Sequence, residues 1–242
     1  VKTNERPFLR ARGSFAFAAL AAVAFGLLPA GSYAQEPLRI GIIGSGTMGG
    51  AVGLKWAAAG HEIFFSSRNP EELAPLVAQA GPRARAGLPN EAAEFGDVIL
   101  IAVPYGALPQ VGADYSPLMQ GKIVIDLGNP RADRDGPMAD DAIARGTGVA
   151  SAGYLPGVRL VRALNAVSAG QVEDAPRSPE RVGVPIAADD PEALEVAVRL
   201  VEDAGFEPVV VGGLERAREF DRGTAVYVQG LSARELREAL GL

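Results

Sequence analysis

Three glycines spaced as G-x-G-x-x-G stand at positions 44, 46 and 49, inside "RIGIIGSGTMGG" (residues 39–50). An apolar, β-branched run precedes them and a helix-forming run follows. In that setting each glycine has its own job. Gly44 permits a tight turn, Gly46 lets the main chain approach a diphosphate, and Gly49 lets helix and strand pack closely. A helix opening here aims free N–H groups and its positive dipole end at the turn, which favours an anion. The hydroxyls of Ser45 and Thr47 can add donors. The chemistry expected is dinucleotide binding, against the blander reading of a glycine-rich packing turn.

A dinucleotide of this kind is sorted at its adenosine ribose. A carboxylate at the end of the second strand holds a free 2′-hydroxyl and repels a 2′-phosphate. Here the stretch is "FFSSRNP" (64–70), with no acid at the strand end. Ser66, Ser67 and Arg68 offer two hydroxyls and a guanidinium, the donors that clamp a phosphate. The cofactor expected is therefore NADP(H) rather than NAD(H).

What receives the electrons is read from the groups able to move protons. The chain has one histidine and no cysteine. His61 precedes the second strand, at the edge of the sheet away from ligands, and is expected to be structural. Lys55 falls in the first helix and Lys122 at the start of a strand. Ligands in such sheets bind at the carboxyl ends of the strands. The loops there are "AVPYGAL" (102–108), "LGNPR" (127–131) and "ALNAV" (163–167). They offer Ala102, Val103, Pro104 and Tyr105, with Asn129 and Asn165 placed to orient a carboxamide or a substrate. Tyr105 is the weak candidate for a catalytic role. Such sparse acid–base equipment suits a small-molecule acceptor that takes hydride unaided, a flavin or a 5-deazaflavin, with the protein aligning two rings and excluding water.

The elements that must position these loops alternate. Strands are expected in "PLRIGIIG", "HEIFFSS", "DVILIAVP", "KIVIDLGNP", "VRLVRALNAV", "VGVPIAADD" and "FEPVVVGG". Helices are expected in 47–60, 70–81 (Asn69 as N-cap, Pro70 first), 138–146, 191–205 and 232–240. The pattern implies an α/β fold, a doubly wound, mainly parallel sheet making a single NAD(P)-binding Rossmann domain over 37–242. Proline- and charge-rich 173–183 reads as the mobile loop.

Composition narrows the partners. The 242 residues carry 23 Lys+Arg against 29 Asp+Glu, a formal charge of −6, which argues against nucleic acid. Residues 1–34 begin with Lys2, Arg6, Arg10 and Arg12, continue with an apolar run and end in small residues at Ser32 and Ala34, the pattern of a cleaved signal peptide. With that leader the mature protein is expected to be periplasmic or exported and free of the membrane. If the true start lies later, it is expected to be cytoplasmic.

"IGIIGSGTMGGAVGLKWAAAGHEIFFSSRNPE", "DVILIAVP", "IVIDLGNP", "LPGVRLVRALNAV" and "EDAGFEPVVVGGLERAREFD" together resemble the NADPH-dependent reductases of the coenzyme F-420 (5-deazaflavin) type. The same fold unit occurs in pyrroline-5-carboxylate reductases and in the oxidoreductase domain of metalloreductases. The resemblance implies hydride transfer between NADP(H) and a deazaflavin, and commonly a homodimer. It implies Ser67 and Arg68 on the 2′-phosphate, Thr47 and Met48 in the pyrophosphate loop, and Val103 and Pro104 beside the nicotinamide. Two other readings stay open: an NADP-binding sensor or subunit without turnover, and an imine reductase resembling pyrroline-5-carboxylate reductase.

Overall fold

A computed structural model describes residues 1–3, 36–175 and 181–242. The signal-peptide reading of 1–34 falls, from residue 4 on, outside the described residues, as does the centre of the loop 173–183. Glu36–Leu242 forms one compact unit. Its elements are β1 (Arg39–Ile43), α1 (Thr47–Ala58), β2 (Glu62–Ser66), α2 (Ala74–Ala80), β3 (Ala84–Gly87), α3 (Pro89–Phe95), β4 (Val98–Ile101), α4 (Leu108–Met119), β5 (Ile123–Asp126), α5 (Ala132–Asp135), α6 (Pro137–Arg145), α7 (Thr147–Tyr154), β6 (Arg159–Arg162), α8 (Ala169–Asp174), β7 (Gly183–Ala188), α9 (Pro191–Asp203), β8 (Glu207–Gly212) and α10 (Ala233–Ala239).

The eight strands make one sheet in the order β3-β2-β1-β4-β5-β6-β7-β8. β1 to β6 pair in parallel, β7 runs antiparallel to β6, and β8 is parallel to β7. The order reverses at β1, which lies between β2 and β4. That is the switch point where a crevice opens beyond the strand ends.

Strand alternation sends side chains to two apolar layers. Ile40 and Ile42 of β1 pack with Val52 and Trp56 of α1 and with Leu200 and Phe206 near α9. Ile43 packs with Ile99, Ile101 and Val124 under α4 and α7 on the other face. Fully buried Trp56 donates its Nε1–H to the Leu200 carbonyl at 2.7 Å, which pins α1 to α9. Buried His61 does the same at the amino edge: Nδ1 accepts from the Leu38 N–H at 3.0 Å and Nε2 donates to Asp203 Oδ2 at 2.9 Å. Its expected structural place is what the geometry gives.

One strand reading is too long. "VRLVRALNAV" is a strand only to Arg162, because Leu164 turns left-handed at φ 62°. The helix expected over 70–81 starts as a 3-10 turn, Pro70–Leu73. Asn69 does not cap it through its side chain, which donates to Glu72 instead. β3, α3, α4, α5, α7 and α8 add elements that the alternation did not give. Among the described residues no helix is long and apolar enough to cross a membrane.

Candidate functional site

The turn after β1 is built on one left-handed residue. Gly44 has φ 96°, and a Cβ there would lie 2.7 Å from the Ala102 carbonyl oxygen and 2.8 Å from Val103 Cγ1. The first turn and the end of β4 are thus in direct contact. A Cβ on Gly49 would sit 2.2 Å from the Gly44 carbonyl oxygen, so α1 reaches the sheet this closely only with glycine there. Gly46 differs: an added Cβ would meet nothing within 4 Å, because the residue faces open space at the mouth of α1. α1 has no side-chain N-cap and no acid in its first turn. Its opening N–H groups are therefore left for an anion from outside the chain. This cradle, which a side chain at 46 would fill, fits a diphosphate.

The β2 end is tied to this turn. The Ser45 N–H donates to the Ser66 carbonyl at 3.0 Å, and the Ser66 N–H returns to Ser45 Oγ at 2.9 Å. Ser66 was expected to offer its hydroxyl to a ribose phosphate; the structure corrects this. β2 continues through Ser66, whose side chain is fully buried and donates to the Ile42 carbonyl at 2.6 Å. Ser67 is half-buried, and its Oγ accepts from the Asn69 N–H at 3.1 Å. Arg68 is exposed and makes no bond to a described residue. The donors left at the β2 end are Ser67 and Arg68, with no carboxylate at the strand's end.

Tyr105 also needs correction. Its ring is 1% exposed, and its hydroxyl lies 2.9 Å from Ser151 Oγ inside the layer under α7. Ser151 donates on to Asp126 Oδ2 at 2.7 Å. Burial, reinforced by the nearby Asp126 charge, pushes the Tyr105 phenol far above its ordinary value. It is a packed anchor and not an acid at the crevice. Ala102 and Val103 are half-buried beside Gly44, and Pro104 is exposed.

Beneath the loop after β5 lies a buried ion pair that sequence reading missed. Arg162 and Asp126 are 0% and 1% exposed. Arg162 Nη1 donates to Asp126 Oδ2 at 2.7 Å and to the Asp126 carbonyl at 2.8 Å, while Nη2 donates to the Gly128 carbonyl at 2.8 Å. Asp126 Oδ1 accepts from the Gly128 N–H at 2.8 Å. Asp221 lies 3.6 Å from Arg162 and takes both the N–H and the hydroxyl of Thr147. The arrangement fixes Gly128, and with it Asn129, at the carboxyl edge. A cation inside "VRLVRALN" and an acid closing "IVID" were the available signals, since buried charges occur in pairs.

Met48, Asn129 and Asn165 come together around one cavity of about 400 Å³, walled also by Leu164, Tyr227 and Val228. Asn129 Nδ2 donates to the Asn165 carbonyl at 2.9 Å. Asn165 Nδ2 turns to Asn129 Oδ1 at 3.4 Å and to the Phe220 carbonyl at 3.3 Å. The cavity thus joins the α1 mouth to the loops after β5 and β6 and to the segment around 227. No local signal ties Tyr227 or Val228 to the glycine turn, from which they lie far along the chain. The volume is that of a small-molecule site.

Comparison with known proteins agrees with this geometry. Residues 39–130 match the family model described as NADP oxidoreductase coenzyme F420-dependent. The chain is 29% identical over 205 residues to the F420-dependent NADP reductase of Methanothermobacter thermautotrophicus, covering 79% of this chain and 88% of that one. It is 29% identical over 197 residues to the metalloreductase STEAP3 of Rattus norvegicus, covering 79% of this chain but only 38% of the relative's length. Among solved structures, the hypothetical protein SMa0349 from Sinorhizobium meliloti superposes with a TM-score of 0.69 at 23% identity, over 81% of this chain and 95% of that one. That likeness shows the fold.

Proposed function

We propose that this chain, whose residues 39–130 match the family model described as NADP oxidoreductase coenzyme F420-dependent, passes hydride between NADP(H) and a planar ring acceptor, a 5-deazaflavin or a flavin. Both the NADP-dependent oxidoreductase activity and the acceptor are part of this reading. The observation that carries it is the pairing of an uncapped α1 mouth, open at Gly46, with an exposed Arg68 where an NAD site would hold a carboxylate.

Bound NADPH supplies a hydride, and the chain's own residues have three tasks. The N–H groups at the start of α1 hold the diphosphate, with the Thr47 hydroxyl beside them. Ser67 and Arg68 clamp the 2′-phosphate, where a guanidinium gives bidentate, charge-assisted bonds. Ala102, Val103 and Asn129 border the space for the nicotinamide, and the Arg162–Asp126 pair keeps Asn129 from drifting. Among the described residues, Tyr227 is the one titratable side chain in the cavity wall. A ring acceptor that needs no enzyme acid suits such a wall better than a carbonyl or an imine does.

The test is NADPH oxidation followed by absorbance, with coenzyme F420, FMN and a ferric chelate offered in turn. Turnover with F420 or FMN supports the proposal. Turnover with the chelate alone favours the metalloreductase activity of the mammalian relative. NADPH binding with no turnover favours a sensor or a subunit.

A further inference from the structure

Among the described residues two non-glycine positions have positive φ, Leu164 at 62° and Val228 at 58°, and both line the same cavity. A β-branched residue in the left-handed region is a true outlier, because its Cβ substituents crowd the backbone. Such strain persists only where the surroundings enforce it, and it collects at ligand sites. Glycine would remove the strain at 228. The segment itself uses glycine nearby, at Gly223 (φ 92°) and Gly230 (φ 69°). Position 228 keeps a side chain nonetheless. The conformation is held by the Val228 N–H, which donates to the Ala166 carbonyl at 2.9 Å.

A second observation points to a ligand. Asn165 is 2% exposed, and its Oδ1 is buried without a hydrogen-bond donor. The amide cannot gain one by flipping, since that would turn its oxygen onto Asn129 Oδ1 and the Phe220 carbonyl, both acceptors. The wall therefore combines the Val228 side chain, backed by fully buried Leu164, with one buried acceptor that lacks a donor. A buried acceptor left unmade is costly, and a ligand donor relieves it.

We propose that Val228 is a specificity-determining residue: its side chain, held in a left-handed backbone, walls the cavity for a planar ring whose edge carries an imide N–H for Asn165. This rests on the oxidoreductase reading and deepens it. The N–H is that of the pyrimidine imide of a flavin-type acceptor, a second molecule beside the nicotinamide.

The experiment measures riboflavin binding by fluorescence quenching, NADPH binding by titration, and thermal melting, on the wild type, Val228→Gly and Val228→Ala. Riboflavin should bind the wild type and bind both variants at least tenfold more weakly. NADPH affinity should stay within about twofold. Val228→Gly should melt no lower than Val228→Ala, because glycine releases the strain. N3-methylriboflavin tests the imide: binding to the wild type at least tenfold weaker than that of riboflavin supports the contact with Asn165, and unchanged binding overturns it. Undiminished riboflavin binding by the variants, equal loss of NADPH, or no riboflavin binding by the wild type overturns the proposal. Riboflavin binding that depends on Val228, without NADPH turnover, would sink the oxidoreductase reading and leave the wall standing.

Discussion

Two kinds of left-handed backbone border the carboxyl edge of this sheet, and they are made differently. The turn at Gly44 takes φ 96° with a residue that adopts it at no steric cost. The loops at Leu164 and Val228 take φ 62° and 58° with side chains that resist it, at about 1–3 kcal/mol each. The first kind offers main chain: N–H groups at a helix mouth, close packing at Gly49, open space at Gly46. The second offers walls. A diphosphate asks for donors and proximity, which any backbone can give once side chains are out of the way. A ring asks for apolar surface at fixed places, so side chains stay even where the backbone would prefer glycine.

The contrast can be broken most sharply at Gly46. A side chain there meets no protein atom within 4 Å of its Cβ, so Gly46→Val should fold normally and lose NADPH and NADH alike, by a hundredfold or more in a titration. Retained binding would mean the turn only packs. Gly44→Ala attacks the other property of the same turn. It forces a non-glycine residue to φ 96° with its Cβ 2.7 Å from the Ala102 carbonyl, costing about 2–4 kcal/mol. A thermal midpoint lower by about 5–15 °C is expected, and an unchanged melt would contradict the packing described.

Arg68→Ala should be intermediate and selective. Losing a charge-assisted bond to the 2′-phosphate costs about 1.5–3 kcal/mol, so NADPH should weaken roughly tenfold to a hundredfold while NADH is untouched. Equal loss of both would remove the guanidinium from the phosphate.

The smallest effect is expected at the opposite edge of the sheet, away from both kinds. Asp190 caps α9 through the Ala193 N–H and pairs with Arg159 at 2.6 Å. The Arg159 guanidinium, with the cap bond behind it, pushes its carboxyl down to about 2. A lowered carboxylate contributes stability above its unfolded value near 4, and the contribution is lost as pH falls through the folded value. Asp190→Asn keeps the cap and drops the charge. Its melting point should fall by no more than about 3 °C at neutral pH, and the gap to the wild type should close between about pH 4 and pH 2. A gap that persists at pH 2 would place the effect in packing.

The same contrast explains what could be read from residues alone. The glycine turn is legible because its requirement is local: three glycines at fixed spacing, a strand before, a helix after, and no acid at the next strand end. The strands β1, β4 and β5 are legible as apolar runs. α4 is not, since Pro117 and Gly112 spoil its pattern; Gly112 is there because a Cβ would come within 1.8 Å of the Tyr154 carbonyl oxygen. Close helix contact overrides propensity in that place. "ALNAV" reads as more strand, and only contacts distant in sequence turn it at Leu164. Ser66 misled for the opposite reason: β2 stays paired through it to Ile43 and Gly87, so its hydroxyl belongs to the interior. The Asp126–Arg162 pair was visible as charges in apolar strands, but its use in fixing Gly128 was not.

The central claim is a main-chain cradle for a diphosphate with a guanidinium beside it that selects the phosphorylated adenosine. Isothermal titration of the wild-type protein with NADPH and with NADH tests it most directly. NADPH should bind at least tenfold more tightly, and the excess should shrink as salt is added. Equal affinity for the two, or no binding of either, contradicts the account.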